Sequence, residues 1–155
     1  MVLLKLTIYK QVADMVPPIK LKNRKAILNI QNRDNQCLRW ALGAALFPAS
    51  RGRNPVRPSS YPTEHGLNFT GIDFPTLVSQ IDRLERQNPN LAINIFGWEK
   101  EFIVHRISEK SGYIPRINLM LTKQGNNTYY SWVKRVTALL YDQNRHNESK
   151  HVCER

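Results

Sequence analysis

The apolar residues in the first third of the chain recur with the spacing of a helix. The run from Cys37 to Phe47 predicts a helix that is buried over most of its circumference. Asp34 or Asn35 is expected to cap its start, and Pro48 ends it because proline cannot continue a helix. The apolar positions of this helix are Cys37, Leu38, Ala41, Leu42, Ala44, Ala45 and Leu46.

A second amphipathic helix is predicted after Gly71, Asp73 and Pro75, residue types that often precede a helix. Its charged residues lie between Asp82 and Arg86, mostly on the face turned to solvent. The segment Gln87–Asn90, which contains a proline, ends this helix. Its apolar face comprises Leu77, Val78, Ile81 and Leu84.

The second half of the chain changes to short runs that are typical of β-strands. These runs are rich in β-branched and aromatic residues, and Gly, Pro, Asn and Ser separate them. An earlier run, Lys25–Ile30, has the same character. Helices early and strands late predict an α+β fold, with N-terminal helices packed on an antiparallel sheet of about four to five strands. The later predicted strands are Leu91–Phe96, Phe102–Ile107, Ile117–Thr122 and Tyr129–Val136.

The length of 155 residues, with 41% hydrophobic residues, is that of one domain with a substantial core. We expect an N-terminal extension over residues 1–24, the domain itself over 25–144 and a polar linker over 145–155. Thr137–Asn144 is expected to form a short closing helix. Arg51–Pro62 holds three arginines and three prolines, a composition that predicts an exposed basic loop.

The charge balance indicates an acidic partner. The chain carries 23 Lys and Arg against 12 Asp and Glu, and this net charge of +11 attracts nucleic acid, anionic membranes or acidic proteins. No stretch has the length and purity of a transmembrane helix or a secretory signal, so we expect no membrane association. Two distant cysteines cannot build a disulfide framework, which indicates an intracellular location, cytoplasmic or nuclear.

Cys37 is the candidate nucleophile because it stands at the start of a predicted buried helix. A helix N-terminus lowers the pKa of a thiol and offers backbone N–H groups to a developing oxyanion. Gln31 lies six residues earlier, the spacing by which papain-like proteases place a side-chain amide in the oxyanion hole. Asn32 or Asn35 takes that role if the register differs. The alternative is that Cys37 only fills space, since free cysteine is commonly buried.

A thiolate nucleophile also needs a base, and none of the four histidines has a position that favours this role. His105 lies within a predicted strand, and His65 lies in a loop. The strand that would present the base begins instead with Tyr129. The two remaining histidines and Cys153 in the polar tail make at most half of a zinc motif, so no metal ion or cofactor is predicted.

Four segments carry a resemblance to a known family. They read PPIKLKNRKAILNIQNRDNQCLRWALGAALFP, LNFTGIDFPTLVSQIDRLERQNPNLAINIFGWE, RINLMLTKQGNNTYYSWVKRVTALL and HVCER. In this order and spacing they are similar to the module upstream of the type B, protein-primed DNA polymerase in Maverick or Polinton-type transposable elements. The resemblance extends from about Pro17 to the last residue. It implies that a further cysteine and a short zinc-finger-like stretch follow HVCER.

That module in turn resembles a papain-like cysteine protease or deubiquitinase, which implies a papain-like cysteine peptidase fold. Cys37 matches the nucleophile position in a helix start of the D-N-x-C type. Tyr129 stands where the family's histidine is expected, Tyr130 matches the tyrosine that follows, and Arg135 occupies a position where Asn or Asp is frequent. The catalytic positions so implied are Gln31, Asn35, Cys37 and Tyr129.

The tyrosine at position 129 bears directly on activity. A phenol with an ordinary pKa of about 10 is a poor general base at neutral pH. Loss of the imidazole from a catalytic triad costs several orders of magnitude in rate. Three explanations remain open: the chain is a natural pseudoenzyme, it was deliberately inactivated, or His65 or His105 serves as the base.

Two functions of different classes follow from the sequence. The first is a papain-like cysteine peptidase or deubiquitinase-like domain, acting on ubiquitin, a ubiquitin-like protein or the polyprotein of the element. The second is a non-catalytic basic module that binds nucleic acid or a protein partner beside a DNA polymerase, as the net charge of +11 suggests. Its supporting features are the arginines in RGR and PVRP and the aromatic residues Trp98, Tyr113 and Trp132.

Overall fold

The computed structural model describes residues 26–98, 102–124 and 127–137, and these form an α+β domain. The N-terminal extension, most of the closing helix, the polar linker, the two tail histidines and Cys153 lie outside the described residues. The elements in chain order are β1 (Ile27–Leu28), α1 (Cys37–Leu46), a 3₁₀ turn (Pro58–Ser60), a second 3₁₀ turn (Val78–Gln80), α2 (Ile81–Gln87), β2 (Ala92–Trp98), β3 (Phe102–Arg106), β4 (Arg116–Gln124) and β5 (Asn127–Val133).

The five strands form one mixed sheet in the order β1-β5-β4-β2-β3. All neighbouring pairs are antiparallel except β2 and β4, which run parallel from the pair Ala92/Arg116 to the pair Gly97/Leu121. The expectation of an antiparallel sheet is therefore wrong. The physical reason lies in the segment 107–115, because it carries the chain from the end of β3 past the start of β2 and places β4 on the other side of β2.

The main core lies between the two α-helices and one face of the sheet. Alternate residues of the strands, such as Ile93 and Ile95 of β2 and Leu119 of β4, share one buried cluster with Leu38 and Leu42 of α1. The intervening residues point to the other face, where Phe96, Met120 and Val133 form a second cluster. α1 lies mainly against β5, which brings the first residue of the helix onto that strand.

The predicted helices differ from the observed ones at their ends. α1 stops at Leu46, and Phe47 at its C-terminus is 47% exposed instead of buried. The predicted second helix starts as a 3₁₀ turn and becomes α-helical only at Ile81. Leu77 precedes that turn with extended backbone, so it is not on the apolar face of a helix and is 59% exposed. The helices are also not N-terminal to the whole sheet, since β1 precedes α1.

A buried ionic network connects α2 to the crossing segment, residues 107–115, which joins β3 to β4. The Glu85 carboxylate accepts hydrogen bonds from Arg106 Nη2 at 2.7 Å, from Ser108 Oγ at 3.1 Å and from the backbone N–H of Ile93 at 2.8 Å. Lys110 Nζ donates to backbone carbonyls that follow the end of α2, including Leu91 O at 2.7 Å. Because buried donors and acceptors are paired throughout, this network holds the crossing segment in place.

Candidate functional site

Cys37 is the first residue of α1 and is buried, with 5% of its surface exposed. β1 pairs with β5 only opposite Val133 and Trp132, so the backbone edge of β5 before Trp132 faces the start of α1. There the Cys37 thiol donates to Thr128 O, with 3.9 Å between sulfur and oxygen, and the backbone N–H of Tyr130 points to the sulfur. The thiol therefore takes part in hydrogen bonding at the edge of the sheet, where a strand partner is lacking.

The pKa of the Cys37 thiol is raised to about 11. Burial is the main cause, because it removes the water that would solvate a thiolate. The N–H groups of Tyr130 and Leu38 lower the pKa, and the negative charge of Asp34 raises it further. The expected lowering by the helix N-terminus is thus present but smaller than the effect of burial. At neutral pH the group is a neutral thiol.

Tyr129 lies in the same buried cluster as Cys37. Its hydroxyl donates to Ile30 O and approaches Asn32 Oδ1 at 2.9 Å. Burial raises the pKa of Tyr129, and the negative charges that Cys37 and Asp34 can carry raise it further. The phenol keeps its single O–H hydrogen, which these two acceptors share, so it acts as a hydrogen-bond donor and not as a base.

Asn32 and Asp34 extend these contacts to the start of α1. The buried Asn32 side chain donates from Nδ2 to Asp34 O and Asp34 Oδ1, both at 2.9 Å. The Asp34 carboxylate also accepts from the backbone N–H of Gln36 at 2.9 Å and from Trp40 Nε1 at 3.0 Å. The N-cap residue of α1 is Gln36, so neither of the two residues expected to cap the helix occupies that position.

The structure joins Tyr129 to Asn32 by a hydrogen bond, buries Cys37 in the same cluster as Tyr129, and places the other two predicted site residues elsewhere. Gln31 is exposed, and its backbone N–H donates to Val56 O at 2.9 Å. Asn35 donates from Nδ2 to Phe74 O at 2.9 Å and so ties the start of α1 to the segment before α2. The amide that meets Tyr129 is therefore that of Asn32, which the sequence offered as an alternative to Gln31.

The two histidines considered as bases both pack over glycines. The ring of His65 lies on α1, where a Cβ added to Gly43 would meet its Cδ2 at 3.1 Å. Gly43 is six residues after Cys37, about 9 Å along a helix axis. His105 is exposed on β3 with its ring over Gly97 of β2. Neither imidazole is among the groups of the described residues that shift the pKa of Cys37.

An open cleft of about 240 Å³ begins one residue before Cys37. Arg39 crosses it and donates from Nη2 to Thr63 O at 2.8 Å. Burial lowers the pKa of His65 in its wall, and the charge of Arg39 contributes to this, so the imidazole is neutral at neutral pH. The sequence analysis did not identify this cleft, although Arg39, the charged residue within the otherwise apolar α1, indicates which side of the helix faces it. The lining residues are Gln36, Arg39, Trp40, Pro62, Thr63, Glu64 and His65.

Two further properties of the described residues bear on function. Within residues 26–98, 102–124 and 127–137, no three His, Cys, Asp or Glu side chains come together as a group that could hold a metal ion. In the same part of the chain, none of the helices has both the length and the apolar character needed to cross a bilayer.

Comparison with known proteins gives no relative for this chain. No known protein family, curated protein or solved structure matches the chain.

The hydroxyl of Tyr129 gives a direct test of these contacts. Replacing Tyr129 with phenylalanine is expected to lower the free energy of unfolding by about 1–3 kcal/mol, because Asn32 Oδ1 and Ile30 O lose a buried donor. Urea denaturation followed by tryptophan fluorescence measures this change. Tyr113→Phe is the control, since Tyr113 is fully exposed and should leave stability unaltered. A Tyr129→Phe variant as stable as this control would contradict the assignment.

Proposed function

We propose that this chain is a papain-like, deubiquitinase-like cysteine peptidase domain of a transposable-element polyprotein that has lost peptidase turnover. Its resemblance to the module upstream of the protein-primed polymerase in Maverick or Polinton-type elements supports the ancestry. The placement of Cys37 at the head of a buried helix, packed beside Tyr129 of β5, supports the same reading. In papain-like enzymes the nucleophile and its base stand at these two kinds of position.

The hydrogen bonding of Tyr129 is the observation that carries the loss of turnover. A peptidase needs a group that accepts the thiol proton, whereas the Tyr129 hydroxyl keeps its own proton and uses it in a hydrogen bond to Ile30 O and Asn32 Oδ1. With a pKa of about 11, Cys37 is ionised at pH 7 in only about one molecule in ten thousand. Cys37 and Tyr129, the residues at the positions of a catalytic pair, thus have a structural role. Their hydrogen bonds connect α1 to β5 and β5 to the chain around Asn32.

The burial of the sulfur supports the same conclusion. Attack on a peptide carbonyl requires that the carbonyl carbon approach the sulfur to within about 3.5 Å. With 5% of its surface exposed and its S–H directed to Thr128 O, the Cys37 sulfur offers little surface to such an approach, which makes any attack slow. A domain of this kind retains binding as its role. We assign contact with a ubiquitin-like or polyprotein chain to the cleft that begins at Gln36.

A ubiquitin probe with a C-terminal propargylamide tests this proposal, because it labels a cysteine only when that cysteine attacks it. We expect no labelling of the 155-residue chain or of its Cys37→Ala variant. We expect slow labelling of Tyr129→His, in which an imidazole is restored at the position of the base. Mass spectrometry of the labelled peptide identifies the modified residue, and circular dichroism confirms that each variant is folded.

Both parts of the proposal can fail in this experiment. Labelling of the unmodified chain at Cys37, with loss of the signal in Cys37→Ala, would show that turnover chemistry is retained. A folded Tyr129→His variant that remains unlabelled would contradict the assignment of Tyr129 to the position of the base.

A further inference from the structure

The arginine loop, residues 48–62, joins the end of α1 to the cleft and concentrates positive charge. It contains Arg51, Arg53 and Arg57, all of them exposed. The sequence holds no Asp or Glu from Asn35 through Thr63, so the loop itself carries no negative charge, and the nearest carboxylate along the chain is Glu64, two residues after it. In the part of the chain that the structure describes, these three arginines form no ion pair with a carboxylate. Their charge is therefore available to an external anion.

Internal hydrogen bonds give this loop a defined conformation, although its composition predicts only an exposed segment. Tyr61 donates from its hydroxyl to Pro55 O, and Ser60 donates from Oγ to Asn54 O, each at 2.6 Å. Arg53 donates from Nη1 to Ser59 O at 3.3 Å. These bonds span six residues each and fold the loop on itself.

The loop is also anchored to the body of the domain. Tyr61 is buried in a small cluster against which Trp40 and Val56 pack. The carbonyl of Val56 accepts the backbone N–H of Gln31 at 2.9 Å. The arginines are consequently presented from a preorganised backbone, and a ligand that binds them meets a smaller entropic cost than on a flexible loop.

An exposed aromatic side chain stands directly before the loop. Phe47 follows the last residue of α1 and is 47% exposed, next to Leu46 at 37%. A large exposed ring that directly precedes an arginine-rich loop is a combination suited to single-stranded nucleic acid, because bases stack on the ring while cations contact the phosphates. A duplex conceals the faces of its bases and would not use Phe47.

We propose that the arginine loop and Phe47 form a binding site for single-stranded nucleic acid. Arg51, Arg53 and Arg57 contact successive phosphates, and Phe47 stacks on a base without reading its identity. This site is separate from Cys37 and Tyr129 and does not depend on the proposal made for them. Binding is independent of sequence and weakens steeply with salt.

Fluorescence anisotropy with a labelled oligothymidylate, titrated at several salt concentrations, tests the arginines. The variant R51Q/R53Q/R57Q is expected to bind at least tenfold more weakly at low salt, with a log-log salt slope shallower by about 2 units, since each phosphate contact on a single strand contributes about 0.7. The matched control R86Q/K123Q/R135Q removes the same charge from exposed residues elsewhere, and its affinity should fall less than threefold. Equal losses in the two variants would overturn the site.

The roles of Phe47 and of the loop conformation are tested by two variants that leave the net charge unchanged. Phe47→Ala should weaken binding of the single strand at least fivefold with an unchanged salt slope, because it removes stacking alone. Tyr61→Phe breaks the bond to Pro55 O and should weaken binding two- to fivefold, also without a change in slope. Tighter binding to a duplex of the same length, together with no effect of Phe47→Ala, would overturn the assignment to single strands.

Discussion

Replacing Glu85 with alanine is expected to lower the free energy of unfolding by about 3–5 kcal/mol, because it removes the buried one of the two carboxylates that pair with Arg106 and leaves Ser108 Oγ and the N–H of Ile93 without their acceptor. The two side chains are 6% and 13% exposed and are 2.7 Å apart. Burial by itself would raise the pKa of Glu85, but the hydrogen bonds from Arg106, Ser108 and the N–H of Ile93 outweigh it and hold that pKa below its ordinary value. Urea denaturation followed by tryptophan fluorescence measures the loss.

Asp82→Ala is the matched control, because Asp82 also binds Arg106 Nη2 at 2.7 Å but is 70% exposed. Water screens that pair, so its removal should cost less than about 1 kcal/mol. If Glu85→Ala does not fold, Glu85→Gln retains the shape of the side chain and should still be clearly less stable than Asp82→Ala. An equal loss of unfolding free energy at the two positions would show that the buried Glu85–Arg106 pair contributes no more stability than the exposed Asp82–Arg106 pair.

The thiol of Cys37 is expected to react with iodoacetamide at pH 7 more than a hundredfold more slowly than an ordinary cysteine thiol. The reason is its pKa of about 11, set mainly by burial. Since only the thiolate attacks, the rate should rise about tenfold for each pH unit between 7 and 10, reach half of its maximum near pH 11 and level off above it. Mass spectrometry of a Cys153→Ser variant, in which Cys37 is the remaining thiol, measures this rate.

The same variant unfolded in urea supplies the control, because its thiol is solvated and should react at the ordinary rate with a midpoint near pH 8.5 to 9. Slow reaction of the folded protein and normal reaction of the unfolded one would locate the effect in the fold. A folded protein whose rate already levels off near pH 8 would contradict the raised pKa, and with it the inactive state of Cys37.

The helix and the strands followed closely from local patterns. The apolar spacing predicted a helix from Cys37 to Phe47, and α1 spans Cys37–Leu46. Each predicted later strand coincides with an observed one, although the bounds differ by several residues. Periodicity reports which side of an element is buried, and this property is encoded within a few neighbouring residues. The end of the second helix before Asn88 followed from the proline that comes next.

The contacts of the candidate site could be predicted only in part. Cys37 and Tyr129 were identified from their places along the chain, and both lie in the same cluster. Whether Gln31, Asn32 or Asn35 would meet them depended on a register that local pattern does not set. A change of one residue in an extended segment turns a side chain to the opposite side, and this exposes Gln31 while it buries Asn32.

The sequence by itself determined the α+β class, the position of the helix that begins at Cys37, the strong positive charge and the tyrosine at position 129. Only the tertiary structure decided that β2 and β4 run parallel, that Tyr129 binds Asn32, and that the thiol of Cys37 stays protonated. The physical reason is that pairing and burial arise between residues far apart in the chain. The hydroxyl of Tyr129 and the amide of Asn32 are separated by 97 residues, and folding alone brings them within 2.9 Å.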